Sequence, residues 1–346
     1  MKRHYGLDLL RILAMALIVL RHGVYQSGVT KAAAETLNIN YLLGVAVNDF
    51  TAIAVNCFVI ITGFFLSRQE FRPKRLVSLW GTVLFYSLVV TTTWALLAAF
   101  SPTVLNSELA HAPTIWDWVR SCFPITSYAY WFISLYFILV MVSPLLNAAV
   151  HSVSLRDGAF ALSAMIVCLC ILPSFGVDFI GVAKGYSLYW FVLLYLSGAF
   201  LQRLEKTPSL IKNATGYLVT LGLSLGYLLL KKSLKNHGID LTPPDDYNFI
   251  LTYTASIFAF RAFQALEITN RHCQRAIEFL APLMLGVYLI HDHILKHVIW
   301  HSWLGIDAFR NSHTWILQVL LRIALVFAAG CAMEHIRRSI CHKLHK

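Results

Sequence analysis

Ten apolar runs of roughly membrane-spanning length divide this chain of 346 residues, and their recurrence limits the fold more than any other feature. They cover approximately 7–25, 44–66, 76–100, 130–150, 159–175, 188–201, 214–230, 247–266, 279–300 and 315–333, the sixth being the shortest. About 20 apolar residues cross a bilayer core as a helix, and in lipid a helix satisfies its own backbone polar groups. The expected fold is therefore an all-α membrane protein, a bundle of about ten transmembrane helices. Only 13% of the residues are charged and 58% are hydrophobic, whereas a soluble domain carries about 25% charged residues.

An even number of spans puts both termini on one side. The loops on that side hold sixteen Lys and Arg residues and the opposite loops seven. The positive-inside rule then makes both termini cytoplasmic, with Lys231, Lys232 and Lys235 as the one opposing cluster. The net charge of +11 would suggest nucleic acid in a soluble chain, but here it belongs to basic inner loops, and no nucleic-acid partner is expected. The seven cysteines lie mostly within apolar runs and do not form a disulfide framework. A cleaved signal peptide is the other reading of the basic start and of Ala32–Ala34. Asp8, Arg11, Arg21 and His22 cut its apolar centre to nine residues, Ile12–Leu20. No internal repeat and no Pro/Ser-rich linker separates a second domain, so 1–346 reads as one integral-membrane domain whose longer loops, 26–43 and 101–129, face outward.

Ionisable residues inside a span cost about 2.5–3.5 kcal/mol each on insertion scales and mark functional candidates. Arg11 and His22 are eleven residues apart, three helical turns plus roughly 20°, so they share a face about 16 Å apart along the axis. Asp8, three residues before Arg11, is placed to hold the guanidinium. The alternative is that these groups snorkel to the two interfaces; Arg21, about 100° away, reads as such an anchor.

The run GLDLLRILAMALIVLRH resembles the start of the acyltransferase-3 family of membrane acyltransferases, whose first helix carries Arg, ten residues, then His. NCFVIITGFFLSR, with Thr62 and Gly63, resembles that family's second helix, and RPKR its Arg-x-x-Arg motif before the third. YWFISLYFILVMVSPLLN and LGVYLIHDHIL resemble middle and late segments. The resemblance implies a ten-helix core that moves an acyl group, usually acetyl, from cytoplasmic acyl-CoA to a hydroxyl of a surface polysaccharide or its lipid-linked precursor, in the bacterial cytoplasmic membrane.

On that expectation Arg72, Lys74 and Arg75, the densest basic cluster of an inner loop, meet the phosphates of acyl-CoA. A sugar hydroxyl needs a base, and His22 is assigned to it; a transient acyl-imidazole is the less favoured route. Arg11, oriented by Asp8, holds the CoA side or stabilises charge on the thioester oxygen. Acyl-CoA is a co-substrate, and no bound cofactor is expected.

In the ninth run His293, His297 and His301 recur every four residues along one stripe. They form an interfacial collar or, with no second ligand cluster to support it, a metal site; no metal is expected. His291 and Asp292 are assigned to the acceptor side. Asp49 and Asn56 lie on nearly one face and either line the cavity or bond neighbouring helices. Arg261 and Arg322 need partners, and Glu267 and Glu334 are candidates. Trp116, Trp118, Tyr128, Tyr130 and Trp131 crowd one outer loop as an aromatic belt. Sugars also stack on such rings, which adds Trp131 to the acceptor side. A secondary transporter or exporter is the rival class, but it would show repeats or paired broken spans, and neither is visible.

Overall fold

The structure is a computed structural model and describes residues 3–32, 39–127, 129–204, 207–235 and 241–344. Tyr128 lies outside them. The described residues contain no strand, and their α-helices are α1 (Tyr5–Gln26), α2 (Val29–Ala32), α3 (Ile39–Thr51), α4 (Ile53–Leu66), α5 (Pro73–Phe100), α6 (Ile115–Cys122), α7 (Trp131–Ser152), α8 (Leu155–Ile166), α9 (Leu172–Ser174), α10 (Leu188–Arg203), α11 (Leu210–Lys235), α12 (Ile250–Ala265), α13 (Arg271–Leu280), α14 (Met284–His291) and α15 (Trp315–Leu344).

Seven helical stretches among the described residues are long and apolar enough to cross a membrane: Ile39–Leu66, Pro73–Phe100, Trp131–Ser152, Leu155–Ser174, Leu210–Leu234, Arg271–His291 and Trp315–Lys343. The other three runs are helical too. α10 and α12 have 16 residues each, about 24 Å at 1.5 Å per residue, and α1 has 22 residues interrupted by Asp8, Arg11 and Arg21. The ninth run is displaced relative to its apolar limits. Its helix begins earlier, at Arg271, and stops at His291, because Asp292 leaves helical geometry at φ −124°, ψ 70° and a π-helix, Val298–Trp303, follows.

The chain forms two compact units. The first comprises Met1–Ala14, Ala46–Phe71 and Ile138–Ala281. In it α4, buried at eleven of its positions, packs against α10 and α12, and α11 packs on α12. Gly63 and Gly198 let α4 and α10 meet at backbone distance. A Cβ added at Gly63 would lie 2.0 Å from the Tyr195 carbonyl oxygen, and one at Gly198 2.1 Å from that of Ile60, so small residues set this interface. Beside it Asn56, fully buried, donates from Nδ2 to the Tyr247 carbonyl (2.8 Å) and the Ser256 hydroxyl (3.2 Å), and accepts from Trp190 Nε1 (3.0 Å). Asp49 accepts from the Ser224 hydroxyl at 2.7 Å. Both residues therefore bond neighbouring helices, one of the two roles their spacing allowed.

The second unit comprises Met15–Val45, Arg72–Phe137 and Pro282–Lys346. Here α14 packs against α15 and α5. Glu334 on α15 is 1% exposed. It pairs with Arg337 through two contacts of 2.6 and 2.8 Å and accepts from the Tyr86 hydroxyl of α5 at 2.9 Å. The short helix α6 starts on a capping box, in which Thr114 and Asp117 bond each other's backbone. It is tied to α5 by Thr91 Oγ1 and Ser121 Oγ at 2.5 Å.

Candidate functional site: a histidine pair beside a polar cavity

In the second unit α1 and α14 bring together two imidazoles 269 residues apart. His22 Nδ1 lies 3.0 Å from His291 Nε2, with ring centroids 5.0 Å apart and planes inclined by 46°. His291 ends α14, so its Nδ1 reaches back one turn to the Val287 carbonyl oxygen at 2.6 Å. Tyr288 and Trp300 stand edge-on to its ring at 5.9 and 6.5 Å, and Trp300 Nε1 donates to the His291 carbonyl at 3.3 Å. His291 is fully buried and His22 half-buried. The second ring nitrogen of His22 has no hydrogen-bond partner among the described residues. A nitrogen base held from one side and open on the other can take a proton from a neighbouring group.

A polar cavity of about 450 Å³ adjoins the turn that follows His291. Its walls include Thr91 and Trp94 of α5, Asp117, Arg120 and Ser121 of α6, Tyr130 and Trp131 before and at the start of α7, and Asp292, His293 and Lys296. Neither His22 nor His291 lines it; Asp292, the chain neighbour of His291, does. Asp292 is paired with Lys296 at 3.2 Å, and Arg120 stands 4.0 Å from Asp117. Rings, hydroxyls and balanced charges on one wall suit a polyhydroxylated ligand.

In the first unit Asp8 sits between two guanidinium groups. Its Oδ1 accepts from Arg11 Nη1 at 3.0 Å and its Oδ2 from Arg3 Nε at 2.8 Å. Arg11 also lies over the Phe65 ring at 5.2 Å. Tyr5 and Arg3 reach Glu278, at 2.6 and 4.0 Å. Two guanidinium groups thus meet two carboxylates, Asp8 and Glu278, and the cluster is balanced in charge.

A family model described as an acyltransferase domain matches residues 4–335. The chain belongs to the acyltransferase-3 family. No curated protein and no solved structure matches it. Transfer of an acyl group by a multi-pass membrane protein is therefore its activity class.

In this acyltransferase the family-like segments have separable jobs. Thr62 bonds the Phe58 carbonyl at 2.8 Å within α4, and Gly63 permits contact with α10, so this pair serves packing. Arg72, Lys74 and Arg75 are all exposed at the start of α5, where Arg72 is the extended N-cap residue and Pro73 the first helical one. The ninth-run stripe is not kept. His297 and His301 stack at 4.6 Å, whereas His293 turns inward and accepts from the Leu295 N–H at 2.9 Å. Among the described residues no group of three or more His, Cys, Asp or Glu side chains is placed to hold a metal.

Two expected partnerships are corrected. Arg322 donates to Gln318 Oε1 at 2.8 Å and to the Leu304 carbonyl at 2.6 Å, and Arg261 to Gln264 Oε1 at 3.1 Å, while Glu334 is taken by Arg337. A carboxylate one turn away, or an amide three or four residues away, reaches a guanidinium before a distant one does. Trp94 and Thr91, hidden in an apolar run, are cavity residues that no local pattern marked. Asp292 and Trp131, assigned to the acceptor side from the sequence, are among the cavity's lining residues.

Proposed function

We propose that this acyltransferase moves an acyl group, acetyl in the simplest case, from cytoplasmic acyl-CoA to a hydroxyl of a surface polysaccharide or its lipid-linked precursor. It works in the bacterial cytoplasmic membrane through ten spans with both termini inside, as the basic inner loops favour. Acyl-CoA is a co-substrate, and Arg72, Lys74 and Arg75 meet its phosphates; their exposure at a helix start supports this. Arg11, held by Asp8 at 3.0 Å, stabilises negative charge on the donor. The acceptor occupies the polar cavity with a ring against Trp131 and its hydroxyls toward Asp292.

The observation that carries this reading is the His22–His291 contact, because it leaves one nitrogen of a half-buried imidazole without a partner among the described residues, while Asp292, the residue after His291, lines a cavity suited to sugars. His22 draws the proton from the acceptor hydroxyl as its oxygen attacks the thioester carbonyl. The test is transfer from acetyl-CoA to extracted surface glycan by purified protein, read by mass and NMR. His22→Ala is expected to abolish transfer while remaining in the membrane. Retained transfer by His22→Ala removes the base assignment, and no interaction of the wild type with CoA removes the donor.

A further inference from the structure

We propose that His291 is a positioning residue that fixes the tautomer of His22 and makes Nε2 of His22 the atom that receives the acceptor's proton. This rests on the reading of His22 as the base and names how that base is set. The Val287 carbonyl oxygen can only accept, so its 2.6 Å contact puts the hydrogen of His291 on Nδ1. A neutral imidazole carries one ring hydrogen, so His291 Nε2 presents a lone pair. His22 Nδ1, 3.0 Å away, must then donate to it. His22 carries its hydrogen on Nδ1, and its Nε2 is the bare nitrogen. A backbone carbonyl thus sets the tautomer of one histidine, which sets that of the next.

The burial of the two rings divides their roles. His291 is 0% exposed, and its ring is gripped by Val287, Tyr288 and Trp300, so no substrate touches it. His22 is half-buried. In the reaction the acceptor oxygen bonds to the thioester carbon while its proton passes to His22 Nε2. The carbon–sulfur bond then breaks, and the leaving CoA thiolate takes that same proton from Nε2, which restores the neutral pair. While His22 is an imidazolium, its Nδ1–H still points at the His291 lone pair, and this hydrogen bond becomes charge-assisted and stronger than in the resting state.

The test compares two variants with the wild type. His291→Phe keeps a ring but removes the acceptor, and it is expected to lower kcat by about 100-fold or more while leaving the KM for acetyl-CoA unchanged. His291→Gln supplies an amide oxygen that can accept from His22 Nδ1 and is expected to recover most of that loss. Independently, ¹⁵N NMR of histidine-labelled wild type, assigned against His22→Ala, is expected to show a protonated Nδ1 and a bare Nε2 at His22. Wild-type kcat in His291→Phe overturns the proposal, as does a His22 protonated at Nε2. The spectrum decides even if a His291 variant fails to fold. If His22→Ala is inactive while His291→Phe is fully active, the relay alone fails; if His22→Ala is active, the base reading itself fails.

Discussion

Replacing Gly198 by Ala tests the backbone contact between α4 and α10 in the first unit. The added Cβ would lie 2.1 Å from the Ile60 carbonyl oxygen and 2.8 Å from the Phe64 nitrogen, both backbone atoms of α4. Ordinary contact begins at 3.4 Å, so α4 and α10 must part by about 1.3 Å, which no side-chain rotation can supply. Overpacking costs typically about 1–3 kcal/mol. Because the obstacle is backbone and α4 also carries the buried Asn56 network, the upper part of that range applies. Alanine returns at most about 1 kcal/mol of helix propensity, leaving a net loss of about 2 kcal/mol. Gly222 on α11 has nothing within 4 Å of an added Cβ, so Gly222→Ala serves as the matched control. The assay is thermal unfolding of the detergent-purified proteins, followed by tryptophan fluorescence and by the monodisperse fraction on gel filtration. Gly198→Ala is expected to unfold several degrees below the wild type and Gly222→Ala at or above it. Equal midpoints for Gly198→Ala and the wild type, or an equal loss in Gly222→Ala, would refute backbone contact as the reason for glycine.

Arg337→Gln strands the Glu334 carboxylate, which is 1% exposed, and is expected to cost about 3–5 kcal/mol; Tyr86→Phe removes one of that carboxylate's bonds and is expected to cost about 1.5–3 kcal/mol. Chemical unfolding of the two variants in detergent checks the order. At the start of α6, the Thr114 hydroxyl, aided by the Thr114 N–H and Arg120, holds the Asp117 carboxyl below its usual value. Since the folded value lies below the unfolded one of about 3.9, this contribution is whole above that pH and is lost as pH falls through the folded value. Acid titration of Trp116 and Trp118 fluorescence should show the transition at a higher pH in Thr114→Ala.

Local patterns in the sequence reported what local physics decides. Apolar runs became helices, and Asp8 and Arg11, three residues apart, meet at 3.0 Å. The ninth run was misread past Asp292 because its apolar residues continue while its backbone does not. Glu334 was paired with the wrong arginines because Arg337, one turn on, was counted as a loop charge rather than a partner. His22 and His291 were each singled out, yet their contact spans 269 residues, and no spacing rule reaches that far. The cavity wall needed tertiary structure for the same reason: Thr91, Trp94, Asp117 and Asp292 come from three separate stretches of the chain.

The way polar groups are satisfied in the second unit explains why a histidine rather than a carboxylate would orient the base. A buried carboxylate needs a full set of partners, and Glu334 has them: two contacts from Arg337 and one from Tyr86. A carboxylate so saturated cannot also orient a base, and one left unsaturated in a low-dielectric span costs several kcal/mol. A neutral imidazole bonded to a main-chain carbonyl avoids that cost. It introduces no charge, uses an acceptor the helix already provides at Val287, and holds its lone pair in one direction. In the proposed relay, charge exists at the pair only while a proton is in transit on His22, when the hydrogen bond to His291 is strongest. The relay accordingly predicts that carboxylate substitution, as in His291→Asp, is a poor replacement for His291 despite being an acceptor, because the shorter side chain would bring a permanent charge where a neutral ring now stands, and the nearby Lys296 is already paired with Asp292.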